Sequence, residues 1–98
     1  MKLGIFVSHF RFNTSSYERI KSDKLGVIFV QNGIFHATVK ENNRSSPLLE
    51  KSADFFVLSE DLETHGFRRS DVDGKVRVIN YSDLVNLIFN EYEKLAWL

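Results

Sequence analysis

Cysteine is absent from the 98-residue chain, which removes disulfides, thiolate metal sites and cysteine nucleophiles in one step. Stability must come from packing. Neither sign of charge is in surplus, thirteen Lys and Arg facing thirteen Asp and Glu, whereas binding to a phosphate backbone needs clustered excess cations. Direct nucleic acid binding is not expected. No stretch approaches the roughly 20 consecutive apolar residues of a membrane span, and Met1 to His9 turns polar too early for a signal peptide. The expectation is a cytoplasmic protein with no membrane partner.

The sites that need particular residues at particular spacings are also missing. Gly4, Gly26, Gly33, Gly66 and Gly74 are scattered, so no glycine-rich phosphate cradle is present. No Gly-x-Ser-x-Gly elbow occurs, which leaves Ser-His-Asp catalysis unsupported. His9, His36 and His65 lack the short helical spacing of a zinc pair. Asp71-Val72-Asp73-Gly74 lacks the remaining ligands of a calcium loop and reads as a turn. No cofactor, metal or catalytic residue is expected in this chain.

What is present suits an ordinary soluble globule: 43% apolar residues, 27% charged and nine phenylalanines. A chain this short buries one core, so residues 1–98 are expected to form a single domain. Leu3 to Val7 is a short apolar run rich in β-branched and aromatic residues, as a buried strand is. Asn13 to Ser16 offers N-caps for a short helix carrying Tyr17 and Ile20, with Lys21 and Lys24 near its end. Leu25 to Val30 is apolar at successive positions, which points to the interior of a parallel sheet.

The next segment is ambiguous. Asn32-Gly33 between Val30 and Ile34 is a hairpin signal, and local chemistry slightly favours it. The other reading makes Asn32 the cap of a short crossover helix carrying Ile34, Phe35 and Thr38 to Val39 on neighbouring turns. After a polar loop, Lys40 to Ser46, Pro47 can open a short helix bearing Leu48 and Leu49. Phe55 to Leu58 is a third strand, and it feeds a helix of about two turns with Ser59 as cap, Glu60 and Asp61 in the first turn, His65 at its end and Gly66 as stop. Val76 and Val78-Ile79 mark a fourth strand, and Asn80 or Ser82 caps a last helix bearing Leu84, Val85, Leu87, Ile88, Phe89 and Tyr92. Strands repeatedly followed by helices indicate an α/β fold with a mostly parallel sheet.

In such a fold ligands sit beyond the carboxyl ends of the strands. Ser8-His9, Gln31-Asn32-Gly33, Ser59-Glu60-Asp61 and Asn80-Tyr81-Ser82 would gather there. Each has a plainer use as a cap or turn, with Tyr81 as an amphipathic lid over the core. Arg68, Arg69, Lys75 and Arg77 form a local basic cluster with Asp71 and Asp73 inside it, which reads as solvated surface. The terminal Leu95-Ala96-Trp97-Leu98 is an apolar tail that must fold back on its own core or be covered by a partner.

Three blocks then form a pattern: Val27 to Ala37 with Gln31-Asn32-Gly33, Phe56 to Phe67 with Ser59-Glu60-Asp61, and Val78 to Leu87 with Asn80-Tyr81-Ser82, followed by Trp97. Together they resemble the DsrH/TusB family, in the family's order and near its spacing. The resemblance covers most of the chain from Leu25 onward. It implies a small Rossmann-like domain with flanking helices, in which the Gln-Asn-Gly turn opens a helix rather than a hairpin. It also implies a subunit of a sulfur relay that passes persulfide sulfur between proteins, for 2-thiolation of wobble uridine in transfer RNA or in sulfur oxidation.

Cysteine-bearing DsrE/DsrF (TusC/TusD)-like subunits are the implied partners. Some members carry a cysteine near the first helix, where this chain reads Asn13-Thr14-Ser15-Ser16-Tyr17-Glu18. A serine hydroxyl is far less acidic than a thiol and holds no persulfide, so the expected role is non-catalytic. Gln31, Asn32, Gly33, Glu60, Asp61, Tyr81 and Trp97 are the candidate pocket or interface residues. The alternatives are a stand-alone small-anion-binding module at Gln31-Asn32-Gly33 and a homo-oligomer using the same surface.

Overall fold

The computed structural model describes residues 1–10, 17, 19–39 and 46–98. The expected caps at Asn13 to Ser16 and most of the polar loop from Lys40 lie outside the described residues. Five strands form one sheet: β1 (Lys2–Val7), β2 (Lys24–Phe29), β3 (Asp54–Leu58), β4 (Val76–Ile79) and β5 (Lys94–Trp97). Their order is β4-β3-β2-β1-β5, and every pairing is parallel. The chain is thus an α/β protein with a small Rossmann-like sheet.

Helix fills much of the connections from β2 to β5 among the described residues. A 3-10 turn at Gln31–Ile34 runs into α1 (Phe35–Thr38), α2 spans Ser59–Thr64 and α3 spans Tyr81–Asn90. Parallel pairing of β2 with β3 rules out the hairpin at Asn32-Gly33 that local chemistry favoured. Asn32 is not the cap either, because Val30 holds that position without a side-chain bond. Gly33 acts through space. A Cβ there would lie 1.9 Å from the Val7 carbonyl oxygen, so only a bare Cα lets this turn seat against the end of β1.

Pro47 opens a 3-10 helix at Pro47–Glu50, with the Ser46 hydroxyl accepting the Leu48 N–H. Ser59 does not cap α2; Leu58 precedes it with extended backbone and no side-chain bond. The stop at Gly66 is where the sequence placed it, with φ at 77°. Asn80 caps α3 in a reciprocal pair, accepting the Asp83 N–H at 2.8 Å while the Asp83 carboxylate accepts the Asn80 N–H at 3.3 Å. That pair stabilises the start of α3 by about 1 kcal/mol. Tyr92, expected on this helix, lies past its end, and Tyr81 is exposed rather than a lid on the core.

Of the two outcomes open to the terminal tail, folding back is the one found: Lys94–Trp97 forms β5 beside β1, a strand that no local signal marks, with Leu3 opposite Lys94 and Phe6 opposite Trp97. The pairing continues past the strand, where the Leu98 N–H donates to the Phe6 carbonyl at 2.8 Å.

The two faces of the sheet are covered unequally. On one, Ile5, Val7, Val27, Phe29, Phe55 and Val57 pack against Tyr17, Ile34, Ala37, Leu48, Leu49 and Leu62 from several segments. On the other, Phe6, Ile28, Val30, Phe56, Leu58 and Ile79 meet Leu84, Leu87 and Ile88, all from α3. From β4 to β5 the chain crosses four strand spacings, roughly 19 Å. A ten-residue α3 is about 15 Å long, so it cannot cover the whole of this face.

Candidate functional site

Because all five strands run in one direction, their carboxyl ends form a single edge. The Gln31 N–H donates to Asp61 Oδ2 at 2.7 Å, and the Tyr81 N–H donates to Glu60 Oε2 at 3.2 Å. Ser59 Oγ donates to the other oxygen of Glu60 at 2.9 Å. Gln31, Asp61, Glu60 and Tyr81 are therefore stitched into one lateral chain. Asn32 is exposed, and Gly33 is buried beneath it.

Carboxylates of α2 thus occupy the N–H groups that a bound anion would use. Desolvation pushes the Glu60 carboxyl upward, but the N–H groups of Glu60 and Tyr81 and the Ser59 hydroxyl outweigh it and hold it below the ordinary glutamate value. Gln31 sits at φ 51°, in the left-handed region that costs a non-glycine residue about 1 kcal/mol. Asp61 holds it there.

At the β5 end of the same edge, the Trp97 indole stacks on Phe6 with ring centroids 4.9 Å apart. Its Nε1–H donates to Ser8 Oγ at 2.9 Å. Even so, Trp97 remains 60% exposed.

The chemistry around the histidines is local. His36 is buried, with Nε2 3.1 Å from the His9 carbonyl and Nδ1 2.9 Å from Ser46 Oγ. The carbonyl accepts only, so the neutral ring carries its proton on Nε2 and Nδ1 accepts from Ser46. Burial pulls the imidazole below the ordinary histidine value, against the opposite effect of the His9 and Phe10 carbonyls.

Over a window just below pH 6.5 the unfolded chain therefore binds a proton that the folded chain refuses. Stability is complete above that value and falls as the pH drops through the window. Denaturant midpoints measured from about pH 7.5 down to about pH 5 should fall in the parent and change less in His36→Gln; parallel profiles would contradict this. Among the described residues no group of three His, Cys, Asp or Glu could hold a metal ion. No helix among them is long and apolar enough to cross a membrane.

The flanks of α3 differ in character. Asp83, Asn86, Asn90 and Glu91 line a cavity together with Arg77, Val78 and Ile79 of β4, so that side of the helix faces β3 and β4. At about 100° per residue, Tyr81, Val85 and Phe89 fall on the side turned away from that cavity, and Leu95 and Trp97 stand on β5, the sheet edge opposite β4. Exposures are 57% for Tyr81, 49% for Val85, 81% for Phe89 and 47% for Leu95. Sequence reasoning named Tyr81 and Trp97 but placed Val85 and Phe89 on the helix without separating exposed from buried. Their four-residue spacing, offset by one from Leu84 and Ile88, was the available signal.

An all-parallel sheet with one face half covered and an apolar stripe beside it defines a small Rossmann-like domain with an open apolar flank. A sequence profile described as DsrH like protein matches residues 8–94, and the chain belongs to that family. Protein TusB of Photorhabdus laumondii subsp. laumondii is 35% identical over 71 residues, 72% of this chain and 73% of that protein. Protein TusB of Yersinia enterocolitica is 27% identical over 93 residues, covering 93% and 96%. Protein TusB of Erwinia tasmaniensis is 26% identical over 93 residues, covering 95% and 96%.

Proposed function

We propose that this chain is a non-catalytic subunit of a sulfur relay assembly of the DsrEFH or TusBCD kind, in which cysteine-bearing DsrE/DsrF-like subunits carry the sulfur. The supporting observation is a DsrH-family domain that lacks cysteine yet exposes an apolar flank. Thiolates are the nucleophiles of persulfide exchange, and no side chain here replaces one. Kinship with proteins named TusB favours the branch that thiolates the wobble uridine of transfer RNA. The site of action is cytoplasmic, where thiols stay reduced.

The partner surface is the flank formed by Tyr81, Val85 and Phe89 of α3 with Leu95 and Trp97 of β5. Aromatic side chains with few charges between them are the composition of an interface core. The carboxyl edge, with Gln31, Asn32, Gly33, Glu60 and Asp61, borders that surface and shapes the ground beside a partner's cysteine. A stand-alone anion site at Gln31-Asn32-Gly33 has less support, since the Gln31 N–H is already satisfied by Asp61.

Purification of the tagged chain from its native cells should bring down cysteine-bearing DsrE/DsrF-like proteins in fixed ratio. Recovery of the chain as a monomer, or only with further copies of itself, would overturn the reading.

A further inference from the structure

The polar flank of α3 is a second site with its own chemistry. A cavity of about 260 Å³ is lined by Lys24, Asp54, Lys75, Arg77, Glu91 and Tyr92. A neighbouring cavity of about 380 Å³ contains Asn86 and Asn90 of α3. The two share Phe56, Arg77, Leu87 and Glu91, so they form one trough with Arg77 at its junction.

Charge is unevenly satisfied along this trough. Lys24 is paired with Glu91 at 2.5 Å. Lys75 and Arg77 stand in no ion pair among the described residues, and Lys75, in the turn before β4, lines the same cavity as Arg77. The Arg77 guanidinium lies 5.9 Å from the centre of the Phe56 ring, which holds the cation over the sheet. Asp54 and Glu91 line the same cavity as Lys24, Lys75 and Arg77, so with Lys24 and Glu91 paired this end keeps an excess of one positive charge. At the other end Asn86 and Asn90, one helical turn apart, offer amide donors and acceptors of the kind that read a base edge.

We propose that this trough binds a single nucleoside monophosphate. Its phosphate lies between Lys75 and Arg77, its base rests against the free side of the guanidinium and its base edge meets Asn86 and Asn90. Stacking of bases on guanidinium planes is a recurring mode of nucleotide recognition. Two unpaired cations fit one phosphate and not the backbone of a long strand. The inference is independent of the assembly reading, because it uses the opposite flank of α3.

The test is titration of the full chain, followed by amide NMR, with uridine and adenosine 5′-monophosphates, the two nucleosides and inorganic phosphate. A monophosphate should saturate with Kd of about 1 mM or tighter and at least tenfold below the nucleoside or phosphate. The shifted amides should include Arg77, Asn86 and Asn90. Arg77→Gln should weaken binding at least tenfold, and Asn86→Asp, an exposed change on α3, should weaken it while the fold is kept. The proposal is overturned by no saturation, by shifts confined to β1 and β5, by equal affinity for inorganic phosphate alone, or by wild-type affinity in either variant.

Discussion

Gly33→Ala is expected to cost about 3 kcal/mol or more, the upper range for forcing an extra carbon into a packed site. The new Cβ would meet the Val7 carbonyl oxygen at 1.9 Å and the Val7 carbonyl carbon at 2.7 Å. That oxygen also accepts the Val30 N–H at 3.1 Å. Relief requires backbone to move on one side or the other, either the end of β1 or the turn that carries Gln31 and Asn32. In a domain of this size the loss corresponds to a fall in Tm of roughly 15 °C.

Two other glycines supply the controls. Gly66→Ala meets no atom within 4 Å but inherits φ 77°, so about 1 kcal/mol of backbone strain is expected. Gly74→Ala meets neither obstacle and should be near neutral. Thermal denaturation of the three variants should rank them in that order. Equal effects at Gly33 and Gly74 would show that the turn does not seat on β1 as described.

The second large effect concerns assembly. Phe89 is 81% exposed, so Phe89→Glu should change folding stability by no more than about 0.5 kcal/mol. On the proposed interface it places a charge where an aromatic anchor is buried. Loss of such an anchor costs about 2 to 4 kcal/mol, a drop of roughly 100-fold in affinity for the partner subunit. Trp97→Ala should behave differently, since Trp97 also stacks on Phe6 and bonds to Ser8. It should lower both folding stability, by about 1 kcal/mol, and affinity.

The chain has one tryptophan, so its emission reports directly on that flank. A blue shift on adding the partner is expected in the parent and absent at equal concentrations in Phe89→Glu. Unchanged affinity in Phe89→Glu would move the interface elsewhere.

Strands β1 to β4 were legible because their signals are local. Val27-Ile28-Phe29 and Phe55-Phe56-Val57 are continuous apolar runs, and a strand buried on both faces needs little else. Asn80 with Asp83, and Gly66 after α2, are cap and stop signals that act within a few residues. β5 was not legible for the opposite reason. Lys94-Leu95-Ala96-Trp97 is short and contains three good helix formers, and it becomes a strand because β1 offers it an open edge.

Asn32-Gly33 misled local reasoning in the same way. Its glycine answers to the Val7 carbonyl, a neighbour 26 positions earlier in the chain, and not to a turn type. At the carboxyl edge the sequence put Gln31, Glu60, Asp61 and Tyr81 in one neighbourhood through the rule for parallel sheets. It could not show that Glu60 and Asp61 serve the starts of neighbouring segments. The charged trough was invisible for a further reason: it lies between α3 and the β3–β4 side of the sheet, a neighbourhood that the spatial order of the strands decides.

On the proposed function, this chain is necessary to a relay whose sulfur it never holds. The most direct measurement is intact-protein mass spectrometry of the reconstituted assembly, sampled during persulfide transfer with and without this chain. The added mass of one sulfur atom should be found on a cysteine-bearing partner and never on this chain, and transfer should slow when this chain is left out or replaced by Phe89→Glu. Sulfur found covalently on this polypeptide, or transfer at the full rate in its absence, would contradict the account.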